Sequence, residues 1–201
     1  MKELIYGISI LSAIASILLM VIGMLWYTQE TKNKNNKPNI VVLFLWALLA
    51  IINTITYYII VGDLWESGLS FTSVAANIYV LIILVLHKNY IVLKRDILIV
   101  GIGIIVITGF VVSMNIKEIH IILQIVNTLS YIPLIIGIVD KKGKEPLGPW
   151  VVIYIASIAN LVTVFVHYSD YWSLINPVRS LCLQTIVIIF IKIKEMKSVP
   201  V

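Results

Sequence analysis

KPNIVVLFLWALLAIINTITYYIIVGDLWE, residues 37–66, and KEPLGPWVVIYIASIANLVTVFVHYSDYWS, residues 144–173, are one kind of segment written twice, 107 positions apart. Each opens on a lysine, Lys37 or Lys144, and runs into a long apolar stretch. Each holds an asparagine at the same place, Asn53 or Asn160, and closes on Asp63-Leu64-Trp65 or Asp170-Tyr171-Trp172. The likeness continues without a gap over residues 37–90. A membrane unit duplicated within one chain builds a cavity between similar halves, which points towards transport.

Composition leads to the same medium. Of 201 residues 60% are hydrophobic and only 12% charged, where a soluble domain carries about 25% charged residues. The charges fall in short intervals, leaving stretches that match helices of about 20 residues across a hydrocarbon core of about 30 Å. Seven are expected, at residues 4–27, 39–61, 70–87, 95–113, 119–138, 149–168 and 173–193. They are continuously apolar and do not alternate, so the expected fold class is all-α and not a barrel. The first carries Glu3 beside Lys2 and ends at Trp26-Tyr27 without a small-residue cleavage pattern, so it reads as a retained helix.

Basic residues set the expected orientation. Lys32, Lys34, Lys37, Lys88, Lys94, Arg95, Lys141, Lys142, Lys144, Lys192, Lys194 and Lys197 fall on one side. Lys2, Lys117 and Arg179 fall on the other, with Glu3, Asp63, Glu66, Glu118 and Asp170. The N-terminus is therefore expected outside and the C-terminus in the cytoplasm, in the plasma membrane. The net charge of +5 then serves insertion and contact with anionic lipid headgroups, without nucleic acid as a partner.

Topology assigns the helix left over. Helices one to three start outside and finish inside, so residues 97–113, with Gly101, Gly103 and Gly109, must return the chain before a second copy can lie parallel to the first. The expected domains are a three-helix bundle over residues 1–90, a linker helix over 91–114 and a second bundle over 115–201.

This three-plus-one-plus-three order, with a basic loop after the first helix of each bundle, resembles the SWEET, SemiSWEET and PQ-loop superfamily of membrane transporters over nearly the whole chain. The second bundle is the better match, through Tyr131-Ile132-Pro133-Leu134 and the basic loop Asp140 to Pro146. The proline-glutamine pair is replaced by Pro133-Leu134 in one copy and Trp26-Tyr27 in the other. The resemblance implies alternating access by rocking bundles, with Pro133, Pro146 and Pro149 as gating positions. It also implies that the third helix of each bundle supplies an amide to a central pocket, which matches Asn77 and Gln184.

Polar residues at membrane depth are costly and mark candidate sites. Ser73 and Asn77 on helix three recur as Ser180 and Gln184 on helix seven, each pair four apart and so on one face. Asn53 and Asn160 form the other matched pair, and Tyr57 lies one turn beyond Asn53. Helix five adds Gln124, Asn127 and Tyr131 where helix one has Ile17, Met20 and Met24. Amides and aromatic faces suit a small uncharged polar solute such as a sugar, nucleoside or vitamin. The same amides also serve to hold helices together.

No Asp or Glu lies in an expected helix core, so facilitative transport without an ion relay is expected. Arg179, after Pro177, reads as snorkelling to the outer interface. Trp46 and Trp150 read as packing or interfacial anchors. No metal or other cofactor is expected, Cys182 being the sole cysteine, and no carboxylate pair or nucleophile with its base suggests an enzyme. The alternative is a seven-helix sensor or assembly subunit without transport. A retinal protein would need a lysine in the middle of helix seven, whereas Lys192 and Lys194 lie at its end. Association with copies of itself stays open.

Overall fold

A computed structural model describes residues 2–92, 96, 97, 101, 103–105, 108, 115–140, 144–167 and 171–197. The order is α1 (Lys2–Lys32), α2 (Ile40–Val61) and α3 (Leu64–His87), then α4, then α5 (Ile116–Val139), α6 (Leu147–His167) and α7 (Tyr171–Lys197). We use α4 for the helical described residues Asp96, Ile97, Gly101, Gly103, Ile104, Ile105 and Thr108. Lys94, Arg95, Gly109, Lys141, Lys142 and Asp170, singled out above, lie outside the described residues. The described residues form an all-helical fold, and among them six helices are long and apolar enough to cross a membrane. Phe165, Ile105 and Leu86 are each about 70% exposed on the outer surface, as expected of side chains that face lipid.

Local chemistry moves several boundaries. Gly62 adopts the left-handed conformation at φ 71° and ends α2, its N–H reaching the Tyr58 carbonyl. Asp63 at once caps α3, accepting from the Glu66 N–H at 2.9 Å. The turn is therefore only two residues long, and α3 begins at Leu64, six residues before the limit of 70 read from hydropathy. Glu66, expected in an outer loop, is in the first turn of that helix and buried. Asn115 caps α5 in a reciprocal box with Glu118, which brings that start forward to Ile116. Pro146 precedes α6 and Pro149 lies in its first turn, where a missing N–H costs nothing, so neither interrupts a span. Pro133 lies inside α5 and Pro177 inside α7.

Neighbours are paired in a closed order: α1 packs on α3 and α6, α2 on α3 and α5, and α7 on α5 and α6, with lesser contacts of α3 with α6 and α2 with α7. Exchanging α1, α2 and α3 for α5, α6 and α7 returns the same set of pairs. The α1–α6 pair is antiparallel, since Gly23 lies at Ile153 and Gly148 at Trp26, while Ser12 meets Thr163 at 2.8 Å. The α2–α5 pair is antiparallel as well, with Trp46 at Ser130 and Thr56 at His120.

Four apolar clusters hold the helices together. Leu45, Leu49, Leu123 and Val126 join α2 to α5, and Gly103 of α4 comes close to Leu45 and Val126. Met20, Leu69, Ile153 and Ala156 join α1, α3 and α6. Tyr27, Leu43, Val80 and Leu84 join the first three helices, and Leu134, Trp150, Val187 and Ile191 join the last three. At one end the connecting segments pair through backbone, Lys37 N–H to the Lys144 carbonyl at 3.0 Å and Ile91 N–H to the Pro38 carbonyl at 2.9 Å. Among the described residues that end gathers Lys34, Lys37 and Lys144 of the connections and Lys192, Lys194 and Lys197 at the end of α7.

Candidate functional site: a polar cavity among six helices

Packing helices round a closed ring leaves a space at the centre, here a cavity of about 130 Å³ to which α1, α2, α3, α5, α6 and α7 all contribute. Ser73 and Asn77 reach it from α3, and Ser180 and Gln184 from α7. Asn53 lines it from α2, and Asn127 and Tyr131 from α5. The structure thus brings together seven of the sequence-derived candidates. Three others lie outside the wall. Tyr57 is fully buried and donates to the Ser173 carbonyl at 3.0 Å. Gln124 donates to the side-chain oxygen of Asn53 from behind the cavity. Asn160 is buried with its side-chain oxygen unpaired.

Several lining residues were missed. Arg179 is on the wall and does not extend to an outer interface. It lies eight residues into α7, about 12 Å along the axis at the usual rise. Its Nη2 donates to the Asn176 oxygen at 2.9 Å and to the Ser180 hydroxyl at 3.2 Å. Among the described residues the buried Nε has no partner and no acidic side chain lines the cavity. A readable signal existed: Asn176, Ser180 and Gln184 recur every four residues, with Arg179 one position before Ser180, so α7 presents one polar face. Asn176 extends the network, accepting from Asn53 Nδ2 at 3.5 Å and donating to Ser70 at 3.5 Å.

Aromatic residues occupy the part of the cavity nearer the paired connections. Trp46 and Tyr131 stack with ring centroids 4.7 Å apart, and Trp150 meets Trp46 edge-on at 6.2 Å. The Trp46 indole N–H donates to Ser130 at 2.7 Å. These tryptophans do pack, as the sequence suggested, but as cavity wall. Beyond them Glu145, before the start of α6, accepts from the Tyr27 hydroxyl at 3.3 Å and the Trp150 indole at 3.1 Å. Burial pushes the Glu145 carboxyl up to about 7, against the lowering effect of both hydrogen bonds and of the charge on Lys194. The small crevice on the far side of this carboxyl is lined by Pro133, Gly137, Lys37 and Asn39.

Polar groups facing the cavity are not all consumed by the fold. The side chains of Ser73, Asn127 and Tyr131 are partly accessible and make no hydrogen bond to another described residue. A cavity with an amide, two hydroxyls and a guanidinium on its wall binds a polar molecule better than an apolar one. Comparison with family models, curated proteins and solved structures gave no match.

Proposed function

We propose that the protein is a membrane transporter for a small polar solute held in the central cavity, moved by alternating access without a coupled ion. The observation that carries this reading is the cavity itself, at membrane depth, with polar residues from α2, α3, α5 and α7 converging on it. The exchangeable neighbour order supports two parallel three-helix bundles, α1 to α3 and α5 to α7, joined by α4. Residues 1–90, 91–114 and 115–201 are the corresponding units, and the reading keeps the SWEET-like resemblance as an architectural one. The gathering of lysines at one end supports an outside N-terminus and a cytoplasmic C-terminus in the plasma membrane.

Both ends of the cavity have a contact that rocking would have to break. Tyr57 with Ser173 closes the outer end between α2 and α7, and Tyr27 with Glu145 and Trp150 closes the inner end between α1 and α6. Pro133 in α5 lies beside the inner contact and is the best-placed hinge of the three gating prolines.

The test is uptake by liposomes containing the purified protein, with a panel of small sugars, nucleosides, vitamins and organic acids. Saturable uptake of one class, lowered at least tenfold by Asn77→Ala with Gln184→Ala, is the expected result. No flux across the panel from correctly folded protein would favour the sensor or assembly role. A reporter fused to the C-terminus is expected on the cytoplasmic side.

A further inference from the structure

Arg179 separates the possible solutes by charge. A cation at membrane depth is rare and is normally paired or exposed to water. Here the guanidinium is on the cavity wall, hydrogen-bonded among the described residues to the neutral groups Asn176 and Ser180. A guanidinium has five N–H donors in a planar fork. Of these, only Nη2 makes hydrogen bonds to described residues, and Nε is buried without any. Among the described residues the wall holds no Asp or Glu to balance the charge. The expectation of an uncharged solute rested on amides and aromatic faces, with Arg179 assigned separately to the outer interface, whereas Arg179 lies on the cavity wall.

We propose that the cavity takes a small carboxylate, with Arg179 as its charge partner and the free polar groups of Asn127, Tyr131 and Ser73 holding a hydroxyl or amine on the same molecule. This rests on the reading of the cavity as a solute site and adds the chemical class. Nη1 makes no hydrogen bond to a described residue, and a carboxylate accepting from it forms a charge-assisted hydrogen bond stronger than a carbonyl or hydroxyl would form there. Tyr131 and Arg179 line the same cavity, so both ends of the solute are within one compartment. A cavity of about 150 Å³ holds a benzene molecule, so one of about 130 Å³ suits a solute of comparable size. Three-carbon hydroxy acids have that size and carry both groups.

Lactate and lactamide provide the test, because they have the same number of non-hydrogen atoms and differ in charge. Full-length protein in detergent is titrated with each, and with sodium chloride as ionic control, by tryptophan fluorescence and by thermal shift. Trp46 and Trp150 on the wall supply the signal. Wild type is expected to bind lactate at least tenfold more tightly than lactamide. Arg179→Gln should abolish that preference, and Arg179→Lys should retain part of it. Without ligand, Arg179→Gln should unfold at a higher temperature than wild type, since it removes an unpaired buried charge. Equal binding of acid and amide by wild type overturns the carboxylate assignment and leaves the solute site standing. So does an unchanged preference in Arg179→Gln. If neither compound binds, the assignment also fails, and uptake of an uncharged solute by liposomes would show that the transport reading survives it.

Discussion

The α1–α6 and α2–α5 contacts occupy equivalent places in the duplicated sequence and are built from opposite materials. At 107 positions' separation Gly23 corresponds to Ser130 and Ile153 to Trp46, so one contact is glycine against isoleucine and the other is serine against an indole donor. Thr163 meets Ser9 and Ser12 on α1, while its equivalent Thr56 meets His120 on α5. Asn53 receives a hydrogen bond from Gln124, but the position equivalent to Gln124 is Ile17, which packs against Gly68 of α3. One contact thus joins helices by close approach and the other by side-chain hydrogen bonds, the two means available where lipid provides no hydrophobic drive. The difference gives the cavity its polarity, because Asn53, Asn127 and Tyr131 reach it from the hydrogen-bonded pair and Met20 and Met24 from the close one.

The comparison can be broken most forcefully at Glu145, the acid that ties α1 to the start of α6. A carboxyl held at about 7 in the fold, against an ordinary 4.5, keeps its proton more tightly when folded. Its contribution is complete below about 4.5 and is lost as pH rises through about 7. Thermal unfolding of wild type should therefore weaken from pH 5 to 8 relative to Glu145→Gln, by up to about 3 kcal/mol. A flat difference across that range would remove Glu145 from the α1–α6 contact.

Next in size is Gly23→Val. Even a Cβ at this position comes within 2.7 Å of Ile153 and 3.4 Å of the Pro149 carbonyl oxygen. A loss of about 2 kcal/mol is expected by thermal or SDS unfolding. The equivalent change on the other side, Ser130→Val, removes one indole bond, and its cost should be about half as large. Equal losses would mean that the two contacts are not differently packed.

Gln124→Leu should cost about 1 kcal/mol, consistent with hydrogen bonds between membrane helices. It should also loosen Asn53 on the cavity wall and lower solute affinity. Smallest is Thr163→Val, where the hydroxyl's contacts to Ser12 and Ser9 of α1 are lost. About 0.6 kcal/mol is expected, with solute affinity unchanged. A drop in affinity there would show that the close contact also shapes the site.

Most of the fold was legible because charge and apolar length are one-dimensional properties. Six spans, the repeat and the all-helical class follow from them directly. The early start of α3 was hidden because Glu66 lowers the hydropathy of a turn that Asp63 nevertheless caps. The site was legible as a set of helical faces, which is why Ser73, Asn77, Ser180 and Gln184 come together. The rotation of one helix against another is not written in spacing. Asn53 and Asn160 are indistinguishable in the repeat, but only the first has an amide facing it from the adjacent helix and a place on the cavity. Arg179 was misread for a related reason, since hydropathy cannot tell a side chain that reaches an interface from one that turns inward.

That inward turn has an electrical side. In a polarised bilayer the guanidinium of Arg179 sits within the field, and carrying one elementary charge across the full potential involves about 2.3 kcal/mol per 100 mV. Any rearrangement of α7 that changes the depth of Arg179 performs work against that potential. With a bound anion the pair is neutral and the work disappears. Voltage would then act on the empty protein and leave the occupied one untouched.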